Sequence, residues 1–169
     1  MKNALTARVN ANGRRLRGRI TLAAVGAVVV LAALVPLAAS GAAEQRLYIG
    51  MSLAFTGPTT SAGTFVASGA IKDSGTADVQ HLALVPIGNS DSAELSGDET
   101  FSGENGTILT HFDGIAFPLS NPHEIGKGQF RIVSGTGAYA GLKGQGRFLI
   151  VVDPISNQLI GTEQGSASR

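Results

Sequence analysis

The chain of 169 residues has no cysteine, which excludes disulfides and thiolate metal sites. It has no acidic residue before Glu44 and no basic tract after Arg19. Six of its 13 Lys and Arg lie in residues 1–19, so seven remain against all 12 acids, a net charge of −5 for the rest of the chain. A domain of that charge has no electrostatic footprint for nucleic acid and no basic patch for a membrane surface. No convincing helical periodicity occurs after residue 44, no Gly-x-Ser-x-Gly elbow is present, and no paired-carboxylate spacing points to a glycosidase. Ser96 and Ser102 flank "GDETF" without a base nearby in sequence. Catalysis is not written in the chain.

What is present begins with a leader. Lys2, Arg8, Arg14, Arg15, Arg17 and Arg19 precede an uncharged apolar run, Ile20 to Ser40, and small residues follow in "ASGAAEQ". Basic, apolar, small is the order of a secretory signal peptide. The run is about 20 residues, longer than a typical signal core and close to a membrane-spanning length. Two fates lead for residues 1–43, a cleaved signal peptide, favoured by Pro36, or an uncleaved membrane anchor, with an internal buried helix as the remaining reading. Both leading readings place the body, residues 44–169, outside the cytoplasm. Arg14 and Arg15 form a pair, but Arg17 and Gly18 follow where a twin-arginine signal carries apolar residues.

The body alternates. In "RLYIGMSLAF" Leu47, Ile49, Met51, Leu53 and Phe55 share one phase of a period-two pattern, as a half-buried strand requires. "GTFVASGAI" (63–71) and "GTADVQHLALVP" (75–86) predict two more strands, and Asn105-Gly106 predicts a type I′ hairpin between two arms of 93–119. The same Asn105-Gly106-Thr107 is formally a glycosylation sequon, and the turn is the preferred reading. "GKGQF" (126–130) and "GQGRF" (144–148) each open a strand, and "QLIGT" (158–162) closes the series. Seven or eight short strands with glycine-rich turns predict an all-β sandwich or barrel, and 19 of the 23 glycines lie in this body.

The densest glycine cluster is "SGTGAYAGLKGQGRF", Ser134 to Phe148. Gly135-Thr-Gly137-Ala-Tyr-Ala140 fits the G-x-G-x-x-[G/A] of a dinucleotide-binding turn, but that turn must open a helix to place amides on the pyrophosphate. Gly141, Gly144 and Gly146 follow within six positions and "RFLIVV" is strand material. The glycines are expected to turn and bend a strand: Gly135 and Gly137 at positive φ, Gly144 and Gly146 where curvature is strong. Tyr139 is expected to lie on a neighbouring strand.

"GTGAYAGLKGQGRF" resembles the turn of the allene oxide cyclase and dirigent-protein barrel superfamily, most closely its small exported bacterial members. The similarity covers about residues 126–152. It implies a calycin-like antiparallel barrel of about eight strands with a mostly apolar interior. Some such proteins guide cyclisation or coupling of hydrophobic molecules, and many assemble as dimers or trimers. No catalytic residue of the plant enzymes matches a position here.

Several side chains can carry chemistry. His111 and Asp113 lie at i, i+2, hence on one strand face, as an acid/base pair or as two solvated polar groups. Metal binding would need His81 or His123 as a third ligand, and no metal site is expected. Arg131 and Arg147 sit beside Phe130 and Phe148, so they point opposite to the core if phenylalanine packs inward. Inside the barrel they would hold a carboxylate, and outside they would pair with acids such as Glu124. Tyr48 and Tyr139 would donate at a barrel mouth or simply pack. Arg131, Arg147, Tyr139, His111 and Tyr48 are thus the candidate ligand-binding set, with no cofactor.

The leading expectation is an exported β-barrel that binds a small hydrophobic molecule in its interior. The alternatives are a cyclase or isomerase acting by confinement, and a non-catalytic envelope or surface protein filled with its own side chains. Membrane contact is expected only through residues 20–40 if they are retained, and homo-oligomerisation stays open.

Overall fold

The computed structural model describes residues 43–120 and 123–169. Residues 1–42, on which the signal-peptide or anchor expectation falls, lie outside them. The described chain is an up-and-down antiparallel barrel of eight strands: β1 Gln45–Gly57, β2 Thr60–Gly69, β3 Asp73–Pro86, β4 Ala93–Gly103, β5 Gly106–Ser120, β6 His123–Gly135, β7 Lys143–Asp153 and β8 Gln158–Ser168. Each strand pairs with its sequence neighbours, and β8 returns to β1, so no edge is left unpaired. One turn of 3-10 helix, Gly137–Tyr139, lies between β6 and β7. The alternation predicted an all-β sandwich or barrel, and the observed fold is the barrel.

Alternation places the core. Leu47, Ile49, Met51 and Leu53 of β1 are buried, whereas Tyr48 and Ser52 between them are exposed. The same phase buries Phe65 and Ala67 on β2, Ala77 and Val79 on β3, and Leu95 and Phe101 on β4. Phe65 and Phe101 meet edge to face at 5.1 Å, as do Phe112 and Phe148 at 5.5 Å.

Inward glycines let neighbouring strands and rings approach closely. A Cβ on Gly146 would stand 2.2 Å from the Gln164 carbonyl oxygen and 2.6 Å from the Phe130 ring, and one on Gly144 would stand 2.6 Å from the Ser166 carbonyl oxygen. Side chains there would force the strands apart, so both positions require glycine for close approach. The turn differs in detail. Gly137 and Gly141 take positive φ (57° and 79°), while Gly135 does not. What Gly135 needs is room: its Cβ would lie 2.3 Å from the Tyr139 carbonyl oxygen. Strand β7 begins at Lys143, so no helix follows Ala140 and the nucleotide turn is excluded.

The β4–β5 hairpin also corrects an expectation. Gly103 pairs with Gly106, so Glu104 and Asn105 form the loop, and Asn105 does not take positive φ. Gly106 instead adopts φ 144° and packs against the Thr136 carbonyl. Close approach to the neighbouring turn, rather than a type I′ geometry, fixes that glycine.

Candidate functional site

The barrel has two unlike ends. The end that holds Asp73, the β4–β5 turn and Gly137–Tyr139 is closed. Tyr139 is buried there, and its hydroxyl donates to Asp73 Oδ2 at 2.9 Å. Asp73 also accepts from the backbone amides of Ser74, Glu104 and Asn105. Desolvation opposes ionisation of Asp73, but these hydrogen bonds outweigh it and hold its carboxyl below the ordinary range. Burial, reinforced by the Asp73 bond, pushes the Tyr139 phenol up.

The other end, where the β1–β2, β3–β4 and β7–β8 connections lie, leads into a small interior cavity of about 30 Å³. Its wall is mainly apolar, with Met51, Leu53, Val79, Phe112, Phe148 and Leu159 around it, and Leu82 and Ile150 toward the mouth. Three polar side chains interrupt that wall: Ser61 on β2, Glu99 on β4 and Glu163 on β8. All three are buried, at 2%, 3% and 1% exposure. Ser61 Oγ, Glu99 Oε1 and Glu163 Oε2 have no hydrogen-bond partner.

Geometry brings the two carboxyls together. Strands β4 and β8 are four apart in a ring of eight, so Glu99 and Glu163 line the same cavity from opposite sides of the barrel. Burial pushes the Glu99 carboxyl up to about 8. Burial likewise raises Glu163 well above the carboxylate range, and the nearby Glu99 charge adds to it. At neutral pH the pair therefore keeps protons that exposed glutamates have lost. A neutral carboxyl both donates and accepts a hydrogen bond, which an ionised one does not. The site can bind an oxygen or nitrogen atom on an otherwise apolar molecule, or lend it a proton.

None of the five side chains expected to bind ligand lines this cavity. Arg131, Arg147 and Tyr48 lie on the outer wall, exposed, because Phe130, Phe148 and Leu47/Ile49 occupy the inward phase. Tyr139 seals the closed end. His111 is on the outer wall too, and its partner is Asp98 on β4, at 2.8 Å, rather than Asp113. Asp98 accepts from His81 as well, at 3.3 Å, and the His111 bond is the chief reason its carboxyl is held low. Cross-strand pairing overrides the i, i+2 neighbour: Asp98 stands directly opposite His111 in the β4–β5 register, while Asp113 stands opposite Ser96 and Gln129. His123 lies 4.0 Å from Asp153, and no group of metal ligands assembles among the described residues.

The cavity carboxyls were nonetheless legible. In "LSGDETF" the inward phase reads Leu95, Gly97, Glu99, Phe101, and in "LIGTE" it reads Leu159, Gly161, Glu163. A glutamate on the apolar phase of a strand is the signal. Set against known proteins, the chain matches no family model and no curated protein.

Proposed function

We propose that this barrel binds a small, mainly hydrophobic molecule at its open end, holding one oxygen or nitrogen group of that molecule against Glu99, Glu163 and Ser61. The observation that carries the reading is the set of three buried, unpartnered polar atoms in an otherwise apolar wall. Leaving such groups unbonded costs about 1–3 kcal/mol each, so they are better explained by a guest than by the fold. A cavity of about 30 Å³ takes only a compact polar group. The apolar remainder of the guest would sit between Leu82 and Ile150, with the side chains at the mouth yielding to it. Export through the leader, and kinship with the allene-oxide-cyclase-like barrels, belong to the same proposal.

Thermal shift of the protein across a panel of apolar alcohols, ketones and carboxylic acids tests it. A rise in Tm for some of them, lost in Glu163→Leu, is expected. No response across the whole panel would instead favour a barrel filled by its own side chains, the non-catalytic alternative.

The protonated state of the carboxyl pair favours one second reading, a cyclase or isomerase that confines a reactive chain and protonates an oxygen on it. Turnover of a reactive apolar epoxide that disappears in Glu99→Gln would support this reading. Binding without turnover would leave the first.

A further inference from the structure

We propose that the outer wall of strands β6, β7, β8 and β1 binds an acidic polysaccharide, reading its carboxylates with Arg131, Arg147 and Arg46. The starting point is a short repeat, Gly128-Gln129-Phe130-Arg131 on β6 and Gly144-Gln145-Gly146-Arg147 on β7. In the antiparallel register Phe130 pairs with Gly146, which sets Gln129 opposite Arg147 and Arg131 opposite Gln145. The two copies are thus related by a local two-fold axis. Their outward side chains make a square with arginine at two diagonal corners and glutamine at the others, all exposed.

Three further features point to a ligand. The square lies in a depression of about 400 Å³ on the outer surface, and a second depression of about 530 Å³ continues it across β8 to Arg46 and Tyr48. The arginines are unpaired: every ion pair among the described residues uses a histidine, and none reaches Arg46, Arg131 or Arg147. This is unexpected in a body with 12 acids against seven bases. Finally, the rows are free of aliphatic side chains. Arg131, Gln145, Ser166 and Arg46 stand in one row across the strands, and Gln129, Arg147, Gln164 and Tyr48 in the next.

The composition selects the ligand. Guanidinium groups grip carboxylates in a bidentate fork, while the glutamine amides and serine match hydroxyls, and Tyr48, 43% exposed, offers a flat ring edge or face. Arg131 and Arg46 are three interstrand steps apart, about 14 Å, a span for an extended chain rather than one ion. Nucleic acid carries a charge every ~1.7 Å of duplex, which three arginines beside Asp113 in an acidic body do not match. A uronate chain, with sparse carboxylates among many hydroxyls, does.

The test uses the immobilised full chain at low ionic strength, with oligogalacturonate as probe and the same oligomer methyl-esterified as its neutral counterpart. Saturable binding of the acid form is expected, weakened at least tenfold by esterification and by Arg131→Gln/Arg147→Gln. Lys72→Gln, which removes a charge at the closed end, should leave it within about twofold of the parent. Circular dichroism of the double variant should be unchanged, because both arginines are exposed. Absence of saturable binding, equal binding of the ester, or equal binding by the double variant would overturn the assignment, as would a comparable loss in Lys72→Gln.

Discussion

The two halves of the barrel interior solve one packing problem in opposite ways. In the closed half Phe65, Phe101, Ile49, Ile71, Ile108 and Ala77 fill the lumen, and the Tyr139 hydroxyl has a partner in Asp73. In the open half the lumen retains a cavity, and three polar atoms are buried without partners. Both halves share the same eight strands and the same alternation. The difference therefore lies in a few inward positions, and it separates a half built for stability from a half that gives up stability.

Breaking the closed half should have the largest effect. Phe101 is fully buried and packed edge to face against Phe65, so Phe101→Ala is expected to lower unfolding free energy by about 3–5 kcal/mol, read from urea denaturation midpoints at constant m. Next comes Tyr139→Phe, which removes a hydrogen bond to an ionised carboxylate and should cost about 1.5–3 kcal/mol. Its deficit has a pH signature. Asp73 is held low in the fold, so its stabilisation is complete above its ordinary value near 3.8 and fades as pH falls through the lower folded value. The parent and Tyr139→Phe should then converge in acid.

The open half should respond in the other direction. Glu163→Leu replaces an unpartnered buried carboxyl with a side chain that suits its wall, and is expected to raise stability by about 1–3 kcal/mol at pH 7. A loss in this variant of the same size as in Tyr139→Phe would erase the contrast between the halves. The parent should also lose stability as pH rises from about 4.5 to about 8. Over that interval the folded state keeps the Glu99 proton that the unfolded chain has released. The group's contribution is whole below 4.5 and gone above 8. Glu99→Gln should flatten that slope.

The strands were readable because period two needs no knowledge of partners: Leu47, Ile49, Met51 and Leu53 declare their face from sequence alone, whereas closure into a barrel rather than a sandwich depends on β8 pairing with β1, which the alternation does not show. The glycine cluster was readable in kind, as a turn, but not in assignment. Which glycine needs positive φ and which needs room depends on the Tyr139 and Thr136 carbonyls that the fold brings beside Gly135 and Gly106. The polar residues of the cavity were not singled out. Histidine, arginine and tyrosine attract notice as chemical groups, yet Arg131, Arg147, His111 and Tyr48 occupy the outward phase, which their buried neighbours already fix. Glu99 and Glu163 sit on the inward phase, where a charge is costly. That position, more than residue type, carries the information. That the two face each other is a product of β4 and β8 standing across the ring, 64 residues apart in sequence, and no local pattern reveals it.

The most direct measurement is an NMR titration of the Glu99 side-chain carboxyl, with Glu99→Gln used to assign its signal. A midpoint near 8 is expected, with the Glu163 signal responding over the same interval. A midpoint near the ordinary 4.5 would mean that the carboxyls are ionised and solvated at neutral pH, and would contradict the account of a neutral, partner-seeking pair inside the barrel.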